Sequence, residues 1–371
     1  MAAEPFEVTV PEADIADLRE RLRRTRWPEA ETVPDWSQGI PLDYVQELCR
    51  SWAQEYDFGF AKRLNAFPQY RDTVDGLGIH FLHARSPEPD AFPLVITHGW
   101  PGSVLEFLDI LGPLTDPRAH GGDPADAFHV VAPSLPGYGW SDKPSAAGWG
   151  IERVARAWDQ LMDSLGYQRY GAQGGDWGAV VSPALGSVAP ERVAGVHVNL
   201  ATAPLGTFDD PTPREQNALA AHQEFLRTGR GYAGQQSTRP QTLGYGLTDS
   251  PAGQAAWIAE KFWAWTDNNG HPEDAVSRQQ ILDAVSAYWF TASATSSARL
   301  YWETRFMDQV TVPSGISVYP AEIISPSRRE AELRFTDLRW YEEMPHGGHF
   351  AAMEQPASLV EQIRGFFRLV R

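Results

Sequence analysis

A chain of 371 residues with 48 acidic against 31 basic side chains carries a formal charge of −17. That balance argues against nucleic acid and anionic membrane surfaces as partners. The composition, 42% hydrophobic and 21% charged, is that of a globular protein of about two or three domains, and no apolar run approaches the ~20 residues that span a bilayer. A single cysteine, Cys49, excludes an internal disulfide and fits a reducing cytoplasm. The first residues, Met1-Ala2-Ala3-Glu4-Pro5, lack the basic start and apolar centre of a signal peptide. Fourteen tryptophans suggest an aromatic pocket for an apolar ligand.

Taken in order, residues 12–26 predict an amphipathic helix with Ile15, Leu18 and Leu22 on one face, stopped by Trp27-Pro28. A second helix is expected from Leu42 to Tyr56, carrying Tyr44, Leu48 and Trp52. From Tyr70 the period changes to two. Arg71–Val74 and Ile79–Ala84 flank Asp75-Gly76-Leu77-Gly78 as a hairpin. Buried strands follow at Pro93–Thr97, Phe128–Ala132 and Val193–Asn199, with helices at Val104–Leu111 and Ile151–Leu165. Strand alternating with helix implies a parallel sheet whose ligands sit at the carboxyl ends of the strands. Between Pro204 and Val310 helices dominate (Arg214–Leu226, Gly253–Thr266, Arg278–Phe290, Ser297–Arg305), as in an insertion over the ligand edge of the sheet. The sheet then resumes at Gly315–Tyr319 and Leu338–Glu343, and Pro356–Val370 is a closing helix.

The centre of this pattern is Gly174-Gly175-Asp176-Trp177-Gly178, between an apolar run ending in Tyr170-Gly171-Ala172 and a helical stretch from Ala179. A strand that turns sharply and leaves as a helix is the nucleophile elbow of α/β-hydrolases, here with aspartate as the attacking residue. Gly-x-Asp-x-Gly alone also fits an ordinary turn, so the other members decide. His349 in His346-Gly347-Gly348-His349-Phe350 lies after the last strand and before the last helix, where the catalytic histidine of such a fold falls. His346 is then a solvent-facing or supporting neighbour. The third member is a carboxylate past the preceding strand. Glu322, after Tyr319-Pro320-Ala321, is favoured over Glu303, Asp308, Asp337 and Glu343.

An aspartate needs no base to ionise it at pH 7, so the histidine is left free to activate water. Asp176 would displace a leaving group from saturated carbon and form an alkyl ester. Water activated by His349 would then hydrolyse that ester, its oxyanion held by the backbone N–H groups of Trp100 and Trp177. No metal or cofactor is required. An epoxide oxygen or a halide suits such a displacement, the first needing tyrosine hydroxyls as neutral donors and the second an indole N–H such as that of Trp177.

Over nearly its whole length the chain resembles an epoxide hydrolase of the microsomal type. The likeness rests on Asp17-Leu18-Arg19-Glu20-Arg21-Leu22, Arg26-Trp27-Pro28, His98-Gly99-Trp100-Pro101-Gly102-Ser103, Pro133-Ser134-Leu135-Pro136-Gly137-Tyr138-Gly139, Gly174-Gly175-Asp176-Trp177-Gly178, Thr248-Asp249-Ser250-Pro251-Ala252-Gly253, Glu260-Lys261-Phe262 and Gly347-Gly348-His349-Phe350-Ala351-Ala352. The resemblance implies an α/β-hydrolase fold in three parts. Residues 1–90 would be a meander wrapping core and lid, 91–203 and 311–371 the core, and 204–310 a helical lid. It implies Asp176 as nucleophile, His349 as base, Glu322 as acid, and two lid tyrosines, Tyr232 and Tyr301, as proton donors. Trp100, Trp177, Tyr232 and Tyr301 would also line the substrate pocket.

The membrane-bound relatives begin with an anchoring helix, and none precedes Glu4, so a soluble, cytoplasmic form is expected. Its partners would be a small epoxide, bulky and aryl-bearing to suit the aromatic lid, and water. A homodimer matches the family's habit. Family members serve either detoxification or secondary metabolism. A haloalkane dehalogenase shares the core and the aspartate but lacks the long meander and lid tyrosines. A non-catalytic binding protein on the same scaffold has no need of all three triad members.

Overall fold

The computed structural model describes residues 3–304 and 309–371; Asp308, one of the candidate acids, lies outside them. Nine strands form one sheet: β1 (Glu4–Pro5), β2 (Gln69–Val74), β3 (Leu77–Ala84), β4 (Phe92–Thr97), β5 (Phe128–Pro133), β6 (Tyr170–Gly174), β7 (Val193–Val198), β8 (Ser314–Val318) and β9 (Leu338–Glu343). Their order is β1-β2-β3-β5-β4-β6-β7-β8-β9. The first three strands and the β3–β5 pair run antiparallel; every pairing from β5 to β9 is parallel.

The hairpin is tighter than the sequence pattern predicts. Val74 pairs directly with Leu77, leaving Asp75 and Gly76 as a two-residue loop with φ of 49° and 76°. Positive φ at both positions matches the twist of the flanking strands, and Asp-Gly is a pair that tolerates it. The inner parallel strands β4 to β8 are almost wholly buried because helices cover both faces, whereas the edge strand β9 carries Arg339, Glu342 and Glu343 and stays partly exposed. Helix Ile151–Ser164 buries Val154, Ala155, Trp158, Leu161 and Met162 at helical spacing and packs beside Gly178–Val188. Helix Pro356–Phe367 packs beside Leu108–Thr115.

Between β7 and β8 lies a helical insertion, called the lid below. The four helices predicted there are present as Pro213–Glu224, Pro251–Trp265, Arg278–Phe290 and Ala294–Glu303. Two more, Gly231–Thr238 and Pro240–Asp249, were not legible, since their glycines, serines and threonines are poor helix formers. Packing holds them. At Gly244 a β-carbon would stand 2.0 Å from Thr295 Oγ1, so the missing side chain lets Pro240–Asp249 lie against Ala294–Glu303.

The N-terminal helices Glu12–Arg23 and Leu42–Gln54 bury Ile15, Leu18, Leu22, Tyr44, Leu48 and Trp52. Leu42–Gln54 packs on the lid helices Pro251–Trp265 and Arg278–Phe290, and Glu12–Arg23 on Pro251–Trp265. Trp52 Nε1–H donates to Ser286 Oγ at 2.9 Å, Tyr56 donates to Asp283 Oδ1 at 2.5 Å, and Arg63 pairs with Asp283. Among the described residues no helix is long and apolar enough to cross a membrane.

Candidate active site

Asp176 leaves β6 with φ of +48°, a left-handed conformation rare for a non-glycine residue and strained. The flanking glycines are steric requirements. A β-carbon at Gly178 would lie 1.8 Å from the Thr97 carbonyl oxygen, and one at Gly174 would lie 2.3 Å from the Gly178 backbone. Gly99 makes room for the carboxylate itself, since a β-carbon there would sit 2.0 Å from Asp176 Oδ1. Asp176 thus stands at the amino end of helix Gly178–Val188, where orphaned amides and the helix dipole favour an anion.

Its two oxygens have different neighbours. Oδ1 accepts the Trp100 N–H at 2.7 Å, and Oδ2 lies 3.2 Å from His349 Nε2. On the other side of the ring, His349 Nδ1 meets Glu322 Oε1 at 2.7 Å. Three residues far apart in sequence form one line, and both His349 and Glu322 are buried.

The backbone explains the alignment. Ala321 N–H donates to the Gly347 carbonyl at 3.1 Å, and Ala321 bridges Gly348, so the acid-bearing and histidine-bearing loops are laced together. His349 N–H donates to the Trp265 carbonyl at 2.8 Å, tying the histidine to the lid. The other described candidate acids are committed elsewhere. Glu303 accepts the Gly148 N–H at 3.0 Å, Asp337 pairs with Arg339 at 2.8 Å, and Glu343 pairs with Arg214 at 2.8 Å. His346 is exposed, with Nδ1 4.0 Å from Asp267.

The electrostatics of the line favour a charged imidazole. Burial alone would push His349 down; the Glu322 and Asp176 carboxylates, in Coulomb and hydrogen-bond contact, overcome this and hold it well above its ordinary value.

Over Asp176 opens a cavity of about 590 Å³, walled by Trp177, Leu200, Phe225, Tyr232, Tyr301 and Ile323 among others. Tyr232 comes from helix Gly231–Thr238 and Tyr301 from helix Ala294–Glu303, their rings 5.9 Å apart at 81°. Burial, with the Asp176 charge adding to it, raises the titration of both hydroxyls, so both are neutral donors at pH 7. Trp177 sits on the cavity wall, edge-on to Tyr301 at 4.6 Å.

Trp100 stands behind the cavity wall and lines a smaller space beside Asp176. Its indole stacks flat on Tyr232 at 5.1 Å and meets Trp265 edge-on, so the ring backs the tyrosine while the backbone N–H faces the carboxylate.

Some neighbours were given no role from the sequence. Lys261 Nζ lies 4.6 Å from the Tyr232 ring and pairs with Glu260. Glu354 accepts the Asp267 and Phe350 N–H groups at 2.8 and 3.0 Å, which fixes the end of the histidine loop. Among the described residues no group of three His, Cys, Asp or Glu side chains is placed to hold a metal.

This sheet, with a strained acid at the turn after β6 and a histidine after β9, defines an α/β hydrolase. Family profiles agree: one described as "alpha/beta hydrolase fold" matches residues 93–246, and one described as "Epoxide hydrolase N terminus" matches residues 3–107. A Stigmatella aurantiaca protein provisionally named an epoxide hydrolase is 52% identical over 374 residues, covering 99% of this chain and 85% of that one. Epoxide hydrolase 1 of Oryctolagus cuniculus is 34% identical over 403 residues, covering 99% and 89%. The crystal structure of juvenile hormone epoxide hydrolase from Bombyx mori superposes with a TM-score of 0.90 at 30% identity, covering 100% and 96%. The chain belongs to the epoxide hydrolase family and is an epoxide-hydrolysing enzyme.

Proposed function

We propose that the enzyme converts an apolar, aryl-bearing epoxide to a vicinal diol in two steps, through an alkyl ester on Asp176. The observation that carries this reading is the line Asp176–His349–Glu322, whose Asp176 opens onto a cavity that Tyr232 and Tyr301 also line.

In the first step Oδ2 of Asp176 attacks a ring carbon while Trp100 N–H holds Oδ1. The carbon–oxygen bond of the ring breaks, and the alkoxide takes a proton from Tyr232 or Tyr301. Esterification removes the negative charge of Asp176. One of the two anions that kept His349 protonated is then gone, and the imidazole sheds its proton more readily. That proton makes good the one the tyrosine gave. Neutral His349, oriented by Glu322, now takes a proton from water as the water oxygen bonds to the ester carbonyl carbon. The tetrahedral oxyanion lies toward the N–H groups of Trp100 and Trp177. Collapse breaks the bond to the alkyl oxygen, His349 protonates that oxygen, the new Asp176 carboxyl passes its proton back to His349, and the diol leaves.

The wall residues Trp177, Phe225, Leu200 and Ile323 suit an apolar and aromatic substrate body. Faster kcat/KM for styrene oxide than for propylene oxide is expected, and equal values would remove the aryl preference. For the route itself, a single turnover in ¹⁸O-water should label the Asp176 carboxyl and leave the diol unlabelled. Label found in the diol alone would mean direct attack of water on the epoxide.

A further inference from the structure

The large cavity is not the only space that touches Asp176. A small space of about 20 Å³ is lined by Asp176, His349, Gln173, Glu106 and Asn199 among others, and by neither lid tyrosine. That volume holds a single water, provided polar partners surround it. They are present. Gln173 is 1% exposed, its Nε2–H donates to Asn199 Oδ1 at 3.1 Å, and its Oε1 is buried with no partner in the protein. A buried acceptor without a donor is costly, and a water donating to it removes that cost.

Glu106 is the other unusual member of this lining. It sits in the turn Val104–Phe107, and its carboxyl fills the place of the side chain missing at Gly102, where a β-carbon would lie 1.1 Å from Oε1. Its other side faces a second cleft of about 250 Å³, shared with Gly102, Phe262, Met353, Arg63 and Asp109. Arg63 and Asp109 are exposed, so this cleft reaches the surface. Glu106 is therefore the one acidic side chain common to the small space and the outer cleft.

We propose that the small space seats the water that hydrolyses the Asp176 ester, and that Glu106 is a positioning residue that holds this water and admits its replacement from the outer cleft. The proposal rests on the ester route above. It separates the two reactants: epoxide enters under the lid tyrosines, and water arrives from the side of Gln173. Burial, opposed by the His349 charge and reinforced by that of Asp176, pushes the Glu106 carboxyl up to about 8. At pH 7 it is largely a neutral O–H donor that repels neither the carboxylate nor the incoming oxygen. During hydrolysis the water oxygen bonds to the ester carbon and one of its protons goes to His349. Glu106 keeps its own proton throughout.

The test separates the two chemical steps with styrene oxide, using stopped-flow tryptophan fluorescence and quenched intact-protein mass. In Glu106→Leu the alkylation rate should stay within about twofold of wild type while ester hydrolysis slows about tenfold or more, so that esterified enzyme accumulates. Glu106→Gln, which keeps a neutral donor of the same size, should restore hydrolysis to within about threefold. Gln173→Met, nearly isosteric, should slow hydrolysis in the same sense and serves if the leucine variant does not fold. Folded Glu106→Leu or Gln173→Met protein hydrolysing its ester at the wild-type rate would overturn the proposal. So would equal loss of both steps in every variant. Failure to find any ester in His349→Gln is a different result, since it would overturn the Asp176 route itself.

Discussion

His98 and His349 both stand at the carboxyl edge of the sheet and are 1% and 5% exposed, yet their charges are driven in opposite directions. His98 has neutral neighbours: Nδ1–H donates to the Gly99 carbonyl at 3.0 Å, and Nε2 accepts the Leu135 N–H at 3.2 Å. Burial pushes it down to about 4, with only small opposition from the Gly99 hydrogen bond and the Asp176 charge. His349 is as deep, but a carboxylate faces each ring nitrogen, and it is held up. Depth alone does not set the charge of a histidine. His98 clamps the loop that carries Trp100 to the loop that begins at Pro133, and only His349 has the partners to carry protons.

The strongest way to sharpen this contrast is Asp176→Asn. Diol formation should fall at least about 10³-fold, as for the loss of a nucleophile in other hydrolases, while the near-isosteric amide leaves the fold intact. The same variant removes an anion from Nε2, so the His349 titration should move down and that of His98 hardly at all. NMR of the imidazole protons reads both. Equal shifts at the two histidines would break the distinction.

Removing the lid donors is a smaller blow. Tyr232→Phe and Tyr301→Phe should each slow ring opening about tenfold, because the other hydroxyl remains, and the double variant should lose far more. Stopped-flow alkylation rates check this; two silent single variants and a silent double would move the donor elsewhere.

The pH profile gives a finer test. Ester hydrolysis in single turnover should rise with pH as His349 loses its proton. Its midpoint should lie below the His349 titration of the free enzyme, since the esterified Asp176 no longer supports the imidazolium. Coincident midpoints would mean that the Asp176 charge does not act on His349.

The smallest effect concerns the neutral histidines. Burial holds His80 and His197 near 3 and His98 near 4, below the value of about 6.5 in an unfolded chain. Their folded-state values are depressed, so the unfolded chain binds these protons first and stability is lost as pH falls from about 6.5 toward 4. Each contributes up to about 2 kcal/mol of that loss by pH 5. Urea midpoints at pH 7 and pH 5 should differ, and His98→Asn should narrow the difference.

Much of this was legible because it is written in local pattern. The inner strands β4, β5 and β7 are short, mostly apolar runs, Asp75-Gly76 punctuates the hairpin, and Asp176 lies between glycines whose absent side chains the turn requires. The order Asp176, Glu322, His349 was legible for the same reason, since each follows a recognisable strand. The two short lid helices were not, because packing against Thr295 and its neighbours overrides the poor propensity of their glycines. Glu106 was invisible for another reason. In sequence it is an ordinary polar position between Leu105 and Phe107, and only the fold brings it beside Gly102 and the floor of the site. The unpartnered Oε1 of Gln173 is likewise a property of packing.

The most direct measurement is the intact mass of His349→Gln protein after mixing with styrene oxide. With the attacking carboxylate present and its water no longer activated, the protein should gain the mass of one epoxide, mapped to the peptide containing Asp176, and turn over little more. Wild-type turnover with no added mass would contradict the account.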